Sequence, residues 1–109
     1  MESLFVYGSL QPGGDNEHVL ADLAGSWTPA SVRGVLTQGG WGASMGYPGL
    51  TLDPDGPTVH GFVFRSADLT ASWPALDDFE GDEYQRVTAA VTLENGEAIQ
   101  ANVYVLADP

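Results

Sequence analysis

Tyr84-Gln-Arg-Val-Thr-Ala-Ala-Val-Thr-Leu93, Glu94-Asn95-Gly96-Glu97 and Ala98-Ile-Gln-Ala-Asn-Val-Tyr-Val-Leu106 read together as a β-hairpin. Asn-Gly supplies the positive φ angles that a two-residue hairpin turn needs, and the segments on either side have strand length. In the first segment Val87, Ala89, Val91 and Leu93 alternate with Tyr84, Arg86, Thr88 and Thr92, which gives one apolar and one polar face. Tyr84 and Arg86 therefore share a face.

Working outward from the hairpin, Leu4-Phe-Val-Tyr7 is a short apolar strand that ends abruptly at Gly8-Ser9-Leu10-Gln11-Pro12-Gly13-Gly14, where the chain changes direction. Asp15 or Asn16 can cap a helix carrying His18, Val19, Leu20 and Leu23 to a stop at Gly25. Residues 27–38 look extended. Gly39-Gly-Trp-Gly-Ala-Ser-Met-Gly-Tyr-Pro-Gly49 holds five glycines in eleven residues and reads as a mobile loop, either a pocket lid or an inert surface segment. Leu50-Thr-Leu52 and residues 59–65 look like strands joined through Asp53-Pro-Asp-Gly-Pro57. Strands dominate and two short helices accompany them, so the expected class is α+β. The sheet should be strongly curved, antiparallel or mixed, and built as a small barrel within a single domain over 1–109.

Composition narrows the function classes. Apolar residues make up 43% of the chain and eleven are aromatic, which suits a folded globule better than a disordered acidic tail. Fifteen acidic residues face three arginines and no lysine, for a formal charge of −12. Such a field repels phosphate, so neither nucleic acid nor an anionic membrane is an expected partner. The charge itself reads first as solubility, although it tolerates a cationic or amine-bearing partner. Cysteine is absent, which excludes a disulfide framework and a thiolate nucleophile. With no apolar run near the length of about 18 residues that spans a membrane, and no basic leader at the start, the expected compartment is the cytoplasm.

One acidic residue stands apart. At about 100° per residue, Leu69, Trp73, Leu76 and Glu80 fall within roughly 60° on a helical wheel, while Asp77 and Asp78 point toward water. Pro74 cannot donate a helical hydrogen bond. Residues 66–72 are therefore expected to form a separate turn, with Pro74 opening a short helix that ends at Gly81. The stacking of Glu80 on Leu76 survives that break. A carboxyl aimed into the core is desolvated, its pKa rises, and near neutrality it can take and return a proton. The competing reading is an exposed carboxylate in a last helical turn.

Other constellations carry less. Ser9, His18 and an aspartate could be assembled into a triad, but nothing resembles a nucleophile elbow. Two histidines without cysteine do not suggest a structural zinc site, and the later ligands of a calcium loop are missing after Asp53-Pro-Asp-Gly. The acidic run 77–83 suits a solvated helix end better than an ion site. Gly13-Gly14 lacks the lysine of a phosphate loop. No metal and no organic cofactor is expected. At Tyr7-Gly8-Ser9-Leu10, glycine lets the backbone turn so that successive N–H groups can converge on an anion. Together with Glu80 this suggests a pocket whose amides hold a substrate carboxylate, with Tyr84 and Arg86 as polar handles.

Phe5-Val-Tyr-Gly-Ser-Leu-Gln-Pro-Gly-Gly14, Gly46-Tyr-Pro-Gly-Leu50, Val59-His-Gly-Phe-Val-Phe64, Leu76-Asp-Asp-Phe-Glu-Gly81, Glu83-Tyr-Gln-Arg86 and Asn102-Val-Tyr-Val105 occur in this order along nearly the whole chain. In that combination the sequence resembles the gamma-glutamylcyclotransferase-like, or AIG2-like, family. The resemblance implies a small β-barrel flanked by helices and an enzyme that cyclises a gamma-glutamyl group to 5-oxoproline, releasing an amine or amino acid. It implies Glu80 as the acid/base, residues 7–10 as the substrate-binding turn, and a pocket hydroxyl from Tyr84. Phe64, where relatives often carry tyrosine, and the glycine-rich segment from Gly39 depart from the pattern and leave the substrate open. A tailoring enzyme that removes a gamma-glutamyl protecting group, and a non-catalytic module that binds a small carboxylate, stay open beside it. Monomer and homodimer are both compatible with the sequence.

Overall fold

The computed structural model describes residues 2–8, 11–13, 18–21, 23–37, 49–81 and 84–106. The expected helix cap at Asp15 or Asn16, the amides of Ser9 and Leu10, and most of the glycine-rich segment lie outside the described residues. Strand β1 is Glu2–Val6, followed by a single helical turn, α1, His18–Ala21. The long strand β2, Ser26–Thr37, is followed by β3, Gly49–Leu52, and β4, Thr58–Ser66. Helix α2, Leu69–Glu80, leads into the hairpin of β5, Tyr84–Leu93, and β6, Ala98–Leu106.

The strands follow the order β3-β2-β4-β1-β6-β5, and a further pairing of β2 with β5 closes five of them into a barrel. That closure runs through Ala30↔Leu93 and Ser31↔Thr92. β1 is antiparallel to β4 but parallel to β6, which makes the barrel mixed. β3 and β4 do not pair with each other: both pair with β2, β4 along 26–33 and β3 along 34–37. Between them Asp53 shapes a turn, accepting the Asp55 N–H on its carboxylate at 3.0 Å and the Gly56 N–H on its carbonyl at 2.9 Å.

Two apolar layers explain the sequence of β1. Phe5 points into the barrel with Val32, Leu50, Val63, Val91 and Val103. Leu4 and Val6 point outward beneath Leu20 of α1 and Leu69, Trp73 and Leu76 of α2. A strand buried on both faces has no polar side to display, which is why this segment shows an apolar run without alternation.

The structure corrects two expectations. The hairpin exists, but its loop has three residues. Leu93 and Glu97 pair, with the Gly96 N–H on the Leu93 carbonyl at 2.9 Å and the Leu93 N–H on the Glu97 carbonyl at 2.8 Å. Gly96 takes φ +89°, and Asn95 uses its side chain instead, accepting the Glu97 N–H at 2.9 Å. This is the type I turn with a glycine bulge that three-residue hairpin loops favour.

The second correction concerns α2, which runs unbroken through Pro74. A proline inside a helix costs about 3 kcal/mol, whereas burying Leu69, Trp73 and Leu76 contributes on the order of 5 to 9 kcal/mol, so packing wins. The helix also begins firmly. Ser66 accepts the Asp68 N–H at 3.0 Å while donating to the Ala24 carbonyl at 2.5 Å.

Candidate active site

Because β1 and β6 are parallel and β5 is antiparallel to both, the end of β1, the end of β6 and the start of β5 meet at one end of the barrel. Tyr7 and Gly8 follow β1 there, Tyr84 opens β5, and Glu80 ends α2.

The Tyr7 ring packs against the barrel core and lies 6.3 Å from that of Phe5. Its hydroxyl donates to the Tyr104 carbonyl at 2.7 Å. Burial, then the charge of Glu80, and more weakly Tyr84, push this hydroxyl well above the usual tyrosine range, against a backbone hydrogen bond from Leu50 that works the other way. Tyr7 is thus a neutral donor at physiological pH. The same interactions bring Glu80 and Tyr84 into its electrostatic neighbourhood.

Glu80 is half-buried, one turn beyond Leu76, and burial pushes its carboxyl from the ordinary 4.5 up to about 7. The chain leaves the helix at Gly81, whose φ of 83° and ψ of −178° lie in a region that is essentially glycine-only. Its N–H returns to the Asp77 carbonyl at 3.0 Å, which closes the last turn around Glu80. Gly8 lies in a tight turn, its carbonyl accepting the backbone N–H of Gln11 at 3.2 Å and the Gln11 side-chain amide at 3.1 Å.

Arg86 lies on the same strand as Tyr84, with its guanidinium directed onto α2. Its Nε donates to Asp77 Oδ1 at 3.0 Å, and its Cζ lies 4.3 Å from the centroid of the Trp73 ring. Tyr104 donates to the same carboxylate oxygen at 2.7 Å. These donors, Arg86 foremost, hold the Asp77 carboxyl below the usual carboxylate range. Sequence reading sent Asp77 toward water and gave Tyr104 and Asn102 no role. The signal for Tyr104 lay in the hairpin register, which places it opposite Arg86. Phe64, the departure from the family pattern, lies in the layer under the helices, its ring tilted at 37° to that of Trp27 with centroids 4.6 Å apart.

Fold and site together define a small mixed barrel with a helix-borne, desolvated acid beside a part-buried tyrosine at its end. The chain belongs to the gamma-glutamyl cyclotransferase, AIG2-like family, whose sequence model matches residues 4–109. An AIG2-like protein from Mus musculus is 28% identical with a TM-score of 0.76, over 98% of this chain and 78% of its own. YkqA from Bacillus subtilis is 26% identical with a TM-score of 0.73, over 96% of this chain and 35% of its own, so the chain spans about a third of that protein. A structure of gamma-glutamyl cyclotransferase shares the fold at a TM-score of 0.68 and 18% identity, over 98% of this chain and 67% of its own. No match was found among curated proteins.

Proposed function

We propose that this protein cyclises the gamma-glutamyl group of a gamma-glutamyl amine or gamma-glutamyl amino acid to 5-oxoproline and releases the amine, with Glu80 as the acid/base. The observation that carries this reading is the sheltered Glu80 carboxyl, poised at about 7 beside the Tyr7 hydroxyl. A group of that strength is populated in both protonation states near neutrality, which suits a residue that must accept a proton and then return it.

The α-amino nitrogen attacks the gamma-carbonyl carbon, so one N–C bond forms in a five-membered ring and the C–N bond to the departing amine breaks. Once the substrate is held folded, the attack is intramolecular and its main requirement is orientation. Ionised Glu80 takes a proton from the α-ammonium, gives it to the leaving nitrogen as the C–N bond breaks, and takes up the second proton that the ring nitrogen sheds to become the lactam N–H, which then passes to the released amine. Such positioned acid/base help is worth about 10² to 10⁴ in rate. Tyr7 and Tyr84 supply hydroxyls along the path, and the backbone amides of Gly8, Ser9 and Leu10 are assigned to the substrate carboxylate or the developing oxyanion. Arg86 acts from outside this path.

The test is incubation of purified protein with a panel of gamma-glutamyl compounds while 5-oxoproline is followed. Wild type should release it, and Glu80→Gln should bind the same compound with turnover lower by about 10² or more. Undiminished turnover in Glu80→Gln would falsify the acid/base assignment. Binding by wild type without release would make the protein a small-carboxylate-binding module.

A further inference from the structure

Two side chains, one from each of two paired strands, converge on one carboxylate of α2. Arg86 and Tyr104 are cross-strand partners on β5 and β6, and both donate to Asp77 Oδ1, at 3.0 Å and 2.7 Å. Arg86 also reaches Asp77 Oδ2 through Nη2 and Asn102 Oδ1 through Nη1, each at 3.4 Å. Asn102 in turn donates to the Ser3 carbonyl at 3.1 Å, so the cluster is tied to β1 as well. Trp73 and Asp77 are four residues apart, and a single guanidinium therefore covers the ring of one and bonds the carboxylate of the other along a full helical turn.

Two features make this more than surface pairing. Pro74 has no N–H, so the helical hydrogen bond to the Thr70 carbonyl is missing and the turn carrying Glu80 is joined to the first half of α2 by one bond fewer. An outside restraint falls just where the helix is weakened. Asp77 also marks the helix end with its main chain, since its carbonyl accepts the Gly81 N–H at 3.0 Å, directly after Glu80. The side chains of Asp77 and Arg86 are 46% and 28% exposed, and an ion pair this wet adds little to global stability. Its main effect is to restrain geometry.

We propose that Arg86, together with Tyr104, is a positioning residue for Glu80: by gripping Asp77 it pins the last turn of α2 to the β5–β6 hairpin and keeps the Glu80 carboxyl sheltered over the end of β1. Tyr104 belongs to both halves of the arrangement, since its hydroxyl holds Asp77 while its carbonyl holds the Tyr7 hydroxyl. The inference deepens the acid/base reading above and rests on it for its kinetic part. Among the described residues, the titratable groups around Glu80 are Tyr7 just after β1, Tyr84 of β5 and Tyr104 of β6, with Asp77 one turn back on α2 and its partner Arg86 on β5.

The experiment titrates the Glu80 side-chain carbonyl by ¹³C NMR in wild type, Arg86→Met and Asp77→Asn, with Glu80→Gln assigning the signal. Arg86→Met keeps an unbranched apolar stem and removes the guanidinium that covers Trp73 and bonds Asp77, and Asp77→Asn, which leaves the guanidinium in place, serves if that variant fails to fold. Wild type should titrate near 7. Both variants should fall by about one pH unit or more toward an ordinary carboxylate as the last turn loosens. Turnover should drop on the order of tenfold to a hundredfold with KM nearly unchanged, and the acid limb of the pH profile should move with the NMR midpoint. An unmoved Glu80 midpoint in folded Arg86→Met and Asp77→Asn overturns the proposal. A raised KM with unchanged kcat also overturns it, by making Arg86 a substrate contact. If wild type forms no 5-oxoproline the functional reading fails, and the NMR midpoints still decide the positioning.

Discussion

Removing the Glu80 charge should cost activity and add stability, with a pH dependence that identifies the cause. Burial raises the folded-state midpoint from the ordinary 4.5 to about 7. The sign follows from linkage: below about 4.5 the carboxyl is neutral in both folded and unfolded chains and carries no charge penalty. Between about 4.5 and 7 the unfolded chain ionises first, so wild type loses stability with rising pH, and above 7 the loss is complete and constant. At 1.36 kcal/mol per pH unit the full effect is about 3 kcal/mol, an upper limit because the carboxyl is half-buried rather than sealed. For a chain of this size that corresponds to roughly 10 °C in Tm. Urea unfolding of wild type and Glu80→Gln from pH 4 to pH 9 measures it. The formal charge of −12 makes both proteins pH-sensitive, and subtracting one curve from the other cancels that common background. Glu80→Gln should gain on wild type through the window and then hold its advantage. Parallel curves would mean a solvated carboxylate, and the proton carrier of the proposed reaction would be lost.

Tyr7→Phe should lower stability by roughly 1 to 3 kcal/mol in thermal or urea unfolding, because the Tyr104 carbonyl loses its side-chain donor in a part-buried site. It should also reduce kcat/KM; wild-type turnover in that variant would remove the hydroxyl from the mechanism. Two glycine substitutions separate fold from site. Gly96→Ala places a side chain at φ +89° with nothing within 4 Å to clash, so it should cost about 1 kcal/mol and leave turnover per folded molecule unchanged. Gly81→Ala enters a conformation costing about 1 to 3 kcal/mol beside Glu80 and should lower turnover as well as stability, measured by the same urea curves and 5-oxoproline assay.

Much of the site was legible because helical phase is local. Leu76 and Glu80 share a face whether or not the helix breaks at Pro74, and because the helix runs unbroken Leu69 and Trp73 keep the same phase, all three apolar members being buried. The hairpin was legible for the same reason, since turn chemistry and strand length are written in adjacent residues. Its register was not. A two-residue Asn95-Gly96 turn would set Arg86 opposite Val105, whereas the three-residue loop sets it opposite Tyr104, and a one-residue slip exchanges the faces of a strand. The joint grip on Asp77 depends on that single residue.

The amino-acid sequence by itself determined the strands, the phase of α2, the family and the residue type at the helix end, because each depends on neighbours a few positions apart. Tertiary structure alone decided that β2 closes on β5, that the helix passes through Pro74, that Arg86 binds Asp77, and that Glu80 is desolvated. Those outcomes depend on groups distant in the chain: burial of three apolar side chains against other elements outweighs one proline, and a carboxyl becomes a near-neutral acid only when other elements exclude its water.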